Sequence, residues 1–371
     1  MLNKSQIRRN LKGMSRRMLK GSWGLAIAVL LVPLAVSLSF TLLLYASATV
    51  MGIDPKAVVL QGYFLAPTAQ LKAYSQLSSL SSFLQHLLTI PIGFGITAWF
   101  ISLTDGERGP FSTVFCWMDT LSRFGKTLLL TFLLVLRTIG WALLIVVLPL
   151  VAFFVYFAPV FMRFVEGLPP AVLAPWVEEF AQNSNLPQGL NYAFEDLIPY
   201  LENTPAILGI LLGGFLLFFV LAFLLYVWML RYLPLDYLAN RNPEASCGEL
   251  FKNSVHMMKG HRFEAMWFHL SFLGWFLLAS VVSGFLAASV SFLSGVPLHV
   301  LNLLLIPLPY LVLSAYFNTA NVLFCEYIRD ASRLDGGQAP YSVYRESHAP
   351  VPFELSDPGE EPPTQIDPPL L

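Results

Sequence analysis

Ala206–Leu230 reads AILGILLGGFLLFFVLAFLLYVWML, with Arg231 directly after it. The run holds no charged residue and exceeds the about 20 mostly apolar residues that cross the hydrocarbon of a bilayer. Its Ile, Leu, Phe and Val side chains fall on every face of a helix, so no stripe is left for water. Such a helix needs apolar surroundings on all sides. Lipid supplies them, and a helix in lipid satisfies its backbone N–H and C=O groups internally.

On either side of this run lie five stretches of the same character: about Trp23–Val50, Phe83–Leu103, Leu128–Phe157, Met266–Leu293 and Val300–Tyr327. Composition agrees. Apolar residues make up 56% and charged residues 12% of the chain, the latter about half the ~25% of a typical soluble protein. Mean hydropathy is +0.64. A pair of soluble domains, which the length alone would allow, is excluded. The sequence predicts an all-α fold: a polytopic transmembrane bundle of about six spans with interfacial amphipathic helices. Residues 1–22 form a basic amphipathic segment, 23–330 the transmembrane domain, and 331–371 a disordered acidic, Pro-rich tail. Ala46-Ser47-Ala48 resembles a signal cleavage site. The apolar run before it is longer than the about 7–15 residues of a signal core, so an uncleaved helix is expected.

Charge placement orients the bundle. Lys4, Arg8, Arg9, Lys12, Arg16, Arg17 and Lys20 precede the first span with no acid among them. Arg108, Arg123 and Lys126 follow the second span; Arg231, Arg241, Lys252, Lys259 and Arg262 follow the fourth; Arg329, Arg333 and Arg345 follow the sixth. The alternate loops hold only Lys56, Lys72 and Arg163, against Asp54, Glu166, Glu178, Glu179, Glu195, Asp196 and Glu202. Cytoplasmic loops are the ones enriched in Lys and Arg. One arrangement satisfies every loop: both termini cytoplasmic, with six spans between them. Cys116, Cys247 and Cys325 then all fall near the cytoplasmic side, where a disulfide framework is not expected.

Three regions lie outside the spans. In residues 5–22, Ile7, Leu11, Met14 and Met18 recur at helical spacing among basic residues. This pattern reads as a helix lying on the inner leaflet and attracted to anionic lipid. Its ordinary role is a topology signal and anchor; so short a basic stretch does not indicate nucleic-acid binding. Residues 158–204 form an acidic external loop in which Ala171–Ala181 and Leu190–Leu201 are amphipathic. Their carboxylates lack ligand spacing for a cation and read as a solvated face. The tail has no apolar period; docking of a partner is the alternative to a plain disordered end.

Within the spans, small and polar residues mark helix contacts, because lipid provides no water-driven force between helices. Gly209 and Gly213 make a GxxxG, and Ser280, Gly284 and Ala288 a small-residue ridge. Packing within the chain is the first reading and dimerisation the second. Ser314, Asn318, Asn321 and Cys325 share one face of the sixth span. They either bond to neighbouring helices or line a polar path. Pro91 with Gly93 and Gly95, and Pro307 with Pro309, are expected to bend or break their helices, as in many transporters. Arg137 interrupts an apolar run. A charge at the bilayer centre costs several kcal/mol, so Thr120–Leu136 is read as an interfacial helix and the membrane part of the third span starts near Ile139. Glu264 and Glu326 are expected partners for Arg137.

Chemistry-bearing motifs are absent. His256, His261 and His269 lie near Cys247, but their spacings put no two imidazoles on one helical face, and neither CxxC nor HExxH occurs. No GxxxxGK[ST] or G-x-S-x-G is present. No catalytic residue, cofactor or metal is assigned.

One stretch carries a recognisable pattern: Arg231-Tyr232-Leu233-Pro234, Leu238-Ala239-Asn240-Arg241-Asn242-Pro243, then Ser254, Met257-Met258-Lys259-Gly260 and Leu270-Ser271-Phe272-Leu273-Gly274-Trp275. It resembles the bacterial membrane-protein family called domain of unknown function 975. Leu19-Lys20-Gly21-Ser22-Trp23-Gly24, Trp141 with Pro149, Pro309-Tyr310, and Phe324 to Arg329 resemble that family too. Residues 158–204 are outside the resemblance. The likeness implies a six-helix bacterial plasma-membrane protein and supplies no activity. Physically, Gly260 is suited to end the amphipathic helix that holds Phe251, Val255 and Met258. Trp267 and Trp275 suit the inner end of the fifth span.

The expectation is a non-enzymatic membrane protein that acts through membrane lipids or a protein partner, a homodimer included. The runner-up is a transporter or permease subunit with a polar path along the sixth span, and a membrane-embedded enzyme is third.

Overall fold

The computed structural model describes residues 4–52, 69–166, 205–291 and 306–334, and every regular element among them is helical. In chain order these are α1 (Lys4–Leu19), α2 (Trp23–Val50), α3 (Ala69–Thr104), a 3-10 turn (Phe111–Phe115), α4 (Leu121–Ala142), a π-turn (Leu143–Val147) and α5 (Leu148–Glu166). Then follow α6 (Pro205–Met229), a 3-10 turn (Leu230–Tyr232), α7 (Leu235–Arg241), α8 (Cys247–Met257), α9 (Arg262–Ser291) and α10 (Leu308–Leu334). Among the described residues, six helical runs are long and apolar enough to cross a membrane: Trp23–Val50, Lys72–Thr104, Leu121–Val160, Ile207–Arg241, Arg262–Leu286 and Leu308–Asp330. The all-α, six-span expectation is met. The chain divides into a compact unit, residues 1–329, and a second unit from Asp330 onward.

Several boundaries move. α3 starts at Ala69 and passes through Pro91, Gly93 and Gly95 without the expected break. Pro307 and Pro309 sit at the start of α10, where Leu311 N–H already bonds the Pro307 carbonyl at 2.9 Å. A missing N–H is harmless there, because first-turn donors have no helical acceptor. α5 runs to Glu166, so the first part of the expected 158–204 loop is helix; likewise α10 carries residues 331–334 of the expected tail. Residues 167–204 and 335–371, including Ala171–Ala181 and Leu190–Leu201, lie outside the described residues.

α4, the π-turn and α5 form one rod. Its apolar stretch of 40 residues is about 60 Å long at 1.5 Å per residue, roughly twice the hydrocarbon thickness. Only part of it fits in the hydrocarbon. The π-turn lies directly before Pro149, and Leu148 N–H bonds the Leu143 carbonyl. Pro149 cannot donate to the carbonyl one turn back, and its ring crowds that carbonyl; a wider turn relieves both.

Apart from residues such as Ala48 of α2 and Ile207 of α6, the buried residues of the six spans gather toward one end of the bundle. They are early in α2 (Ala26, Val29), late in α3 (Trp99, Phe100), early in α4 (Leu130), just after α6 (Leu230), early in α9 (Phe268, Phe272) and late in α10 (Ala320, Phe324). Alternate helices therefore run up and down, and α1, the α3–α4 connection, α7, α8 and the part of α10 before Asp330 meet at this packed end. The other halves of α2, α5 and α6 expose large apolar side chains such as Leu43, Tyr156 and Leu216.

α1 forms where its spacing predicts, but its apolar face meets protein and not lipid. Leu11, Ser15 and Leu19 are fully buried, and Ile7, Met14 and Met18 pack on the core. Lys12 Nζ donates to the Ser271 carbonyl of α9 at 2.8 Å and lies 4.2 Å from the Phe272 ring centre. Burial, then the neighbouring Arg16 and Arg8 charges, hold the Lys12 pKa below its ordinary value.

Candidate functional site

The packed end is knotted by α7. Its sequence, Leu235–Arg241, buries Leu235, Tyr237, Leu238 and Ala239 and presents Asn240 and Arg241 to their neighbours. The Arg241 guanidinium donates to both carboxylate oxygens of Asp105, each at 2.7 Å, and also to Glu326 of α10. This bidentate fork is the strong form of an ion pair, and the third contact ties α10 to it. Arg241 also lies over the Tyr237 ring, with Arg329 5.8 Å from the same ring centre.

Asn240 joins three elements. Its Nδ2 donates to the Phe94 carbonyl of α3 at 3.0 Å and to the Asp236 carbonyl at 2.9 Å, and its Oδ1 accepts from Trp117 Nε1 at 2.6 Å. The Phe94 carbonyl belongs to α3, and a carbonyl oxygen has a second lone pair with which to accept from this side chain. Trp117 belongs to the segment after the 3-10 turn, which Trp99 Nε1 fastens from below by donating to the Gly109 carbonyl at 3.0 Å. Gly95 lets this turn approach. A Cβ built there would lie 1.9 Å from the Val114 carbonyl oxygen. Lys126 of α4 donates to the Pro243 carbonyl, and Ser254 of α8 donates to the Arg231 carbonyl at 2.9 Å. Gly260, at φ +85°, ends the α8 region with a conformation that other residues rarely adopt. Cys116, half-buried beside this knot, has its thiol pKa raised by burial and by Asp119, against a smaller opposing effect of Arg123.

The residues singled out in sequence fall into separate places. Arg137 lies over the Phe251 ring, 3.9 Å from its centre. The carboxylates expected as its partners are engaged elsewhere: Glu326 with Arg241, and Glu264 with His261 at 2.9 Å. On α10, Ser314, Asn318 and Asn321 are half-buried and Cys325 is buried. Asn321 interacts with His269 of α9, whose Nδ1 is 2.9 Å from the Tyr226 hydroxyl of α6. Within this contact His269 Nε2 and Asn321 Oδ1 are buried and, among the described residues, make no hydrogen bond of good geometry.

A Cβ built on Gly213 would lie 3.6 Å from the Phe153 ring, whereas nothing comes within 4 Å of a Cβ built on Gly209 or Gly284. Gly214, outside the GxxxG spacing, is the tighter position: a Cβ built there would lie 3.1 Å from Phe153 and 3.2 Å from Phe154. Ser280 accepts from the Tyr310 hydroxyl at 2.8 Å, and Ala288 is exposed. Asn240 and Gly95 were not read as functional or structural keys. The signal for Asn240 was the family-like stretch that contains it; the signal for Gly95 was misread as a helix break.

These observations define a multi-pass α-helical membrane protein in which Asn240, Arg241 and Asp105 join helices at one end of the bundle. Residues 1–332 match the family described as "Protein of unknown function (DUF975)", and the chain belongs to that family. No curated protein and no solved structure matches it.

Proposed function

We propose that the protein is a non-enzymatic component of a bacterial plasma membrane, with both termini in the cytoplasm, that acts through lipid and protein contacts at its packed end. The observation that carries this reading is the division of labour in α1. Its apolar face is taken up by the bundle, while Arg9, Arg16, Arg17 and Lys20 remain exposed. Such a fixed basic face attracts an anionic leaflet, at about 1 kcal/mol per Lys or Arg near the surface. Asp105 and Glu326 are committed to Arg241, and Glu264 contacts His261, so these carboxylates serve contacts within the chain.

The test is extraction of the full-length protein in native lipid patches, followed by mass spectrometry of the lipids and proteins that accompany it. Arg9→Gln/Arg17→Gln should reduce enrichment of anionic lipid. If neither a lipid nor a protein enriches with the unaltered chain, the reading fails.

A second reading, a transporter, has one observation in its favour: the buried polar contact between His269 and Asn321 inside the bundle. It requires that Asn318→Leu or Asn321→Leu abolish solute flux in a protein that still folds and inserts.

A further inference from the structure

We propose that Arg137, Arg231 and Arg262 form a binding site for the phosphate of an anionic phospholipid, in an aromatic corner where α4, the end of α6 and the start of α9 converge. The three guanidinium groups share rings. Arg231 lies 4.5 Å and Arg262 5.3 Å from the centre of Trp228, and Arg231 and Arg137 lie 5.5 and 5.9 Å from the centre of Tyr232. Trp141 of α4 closes the corner, 4.8 Å from Trp228 and 5.9 Å from Arg231.

Three like charges repel one another at such separations, and among the described residues no carboxylate pairs with any of them. Arg241, at the same packed end, shows the contrast: it has two acidic partners. The donors are idle as well. Nε and Nη1 of Arg231 and Nε of Arg262 are buried and bond to nothing. An unmet buried donor is costly, and a charged one more so. A guanidinium stacked on a ring still presents its N–H edge in plane, which fits the paired oxygens of a phosphate. One phosphodiester would satisfy the idle donors and offset the repulsion together.

The surroundings select a lipid. Phe132, Leu136 and Ile139 are exposed along α4 beside Arg137, an apolar surface for an acyl chain. Indole and guanidinium side chains suit the headgroup level, where one end of the side chain meets hydrocarbon and the other polar groups. The site rests on the proposed placement of the packed end at an anionic leaflet, but it does not use the exposed face of α1.

The experiment uses the full chain, delipidated in detergent and titrated with short-chain phosphatidylglycerol, phosphatidylcholine of equal chain length, or sodium phosphate, with occupancy read by native mass spectrometry. The unaltered protein should retain phosphatidylglycerol in preference to phosphatidylcholine. Arg231→Gln/Arg262→Gln should weaken that binding roughly tenfold or more, since two charged donors are lost. Equal binding by this variant overturns the site, and displacement of the lipid by millimolar phosphate overturns its assignment to a lipid. If the Gln variant does not fold, Arg231→Lys/Arg262→Lys keeps the charge but loses the fork; it should bind several-fold more weakly, and unchanged binding again overturns the site. Arg9→Gln/Arg17→Gln separates the two readings. If it alone loses the lipid, the α1 surface stands and this site falls; if only the Arg231/Arg262 variant loses it, the reverse holds.

Discussion

Gly95→Ala should destabilise the protein, while Gly93→Ala in the same helix should not. Both glycines sit inside α3, where alanine is intrinsically favoured by about 1 kcal/mol. Their surroundings differ. Gly93 is exposed, and a Cβ there would meet nothing within 4 Å. At Gly95 the same atom would lie 1.9 Å from the oxygen, 2.5 Å from the carbon and 3.0 Å from the Cα of Val114. These are backbone atoms of a turn held by Trp99 on one side and Trp117 on the other, so they cannot swing aside. The turn must be displaced. That exposes Val114, which is fully buried, at about 1.5–3 kcal/mol, and breaks the Trp117–Asn240 hydrogen bond at about 1 kcal/mol. After the helix-propensity gain, a net loss of roughly 2 kcal/mol remains, within the range for overpacked cores. Thermal unfolding in detergent, followed by tryptophan fluorescence, reads this directly. A Gly95→Ala protein as stable as the unaltered chain, or a Gly93→Ala protein that loses as much, would refute the close approach.

The other predictions concern the same end. Asn240→Ala removes three hydrogen bonds and Trp117→Phe removes one; at about 1 kcal/mol per bond, the first should lower stability two- to threefold more than the second in the same unfolding assay. Arg241→Lys keeps the charge but cannot form the fork on Asp105 or hold Glu326 at the same time; it should lose about 1–2 kcal/mol, and an unchanged melting temperature would show the network to be ornamental. Burial raises the Cys116 thiol pKa, so less thiolate forms at a given pH. Its alkylation by iodoacetamide at pH 8 should be slower than that of a free thiol and should rise only at higher pH than the free thiol's; a rate equal to the free thiol's would contradict the half-buried setting.

How much of this was legible in the sequence follows from the range of the forces involved. The spans were legible because lipid imposes its requirement on each helix separately. Trp23–Val50 was expected and found with the same bounds, and Ala206–Leu230 with a shift of one residue. α3 was longer than expected because its first part, with Ser75, Ser78 and Ser79, is too polar to look like membrane but perfectly able to be helix. The helix over residues 4–19 was legible from its period, yet its partner was not. An apolar stripe states that it will be covered, and whether lipid or α9 and α10 cover it depends on residues some 260 positions away, such as Ser271.

The same limit governs the polar residues, and it bears on how such a protein should be read. Arg137 reads in the sequence as a charge too expensive for the bilayer centre, and carboxylates are the partners such a charge suggests. The chain instead gives Asp105 and Glu326 to Arg241 and leaves Arg137, Arg231 and Arg262 on aromatic faces. A fold that needed only stability had acids available at this end to neutralise them. Stacking on a ring is worth about 0.5–2 kcal/mol and leaves the charge uncompensated, so it is a poor substitute for a counter-ion. Arginines in one family-like stretch are thus treated in opposite ways: Arg241 is saturated and Arg231 is left with open donors. The saturated one marks the architecture. The open ones mark where something outside the chain is expected to bind, and a phosphate at headgroup height is the partner whose charge, shape and location meet all three.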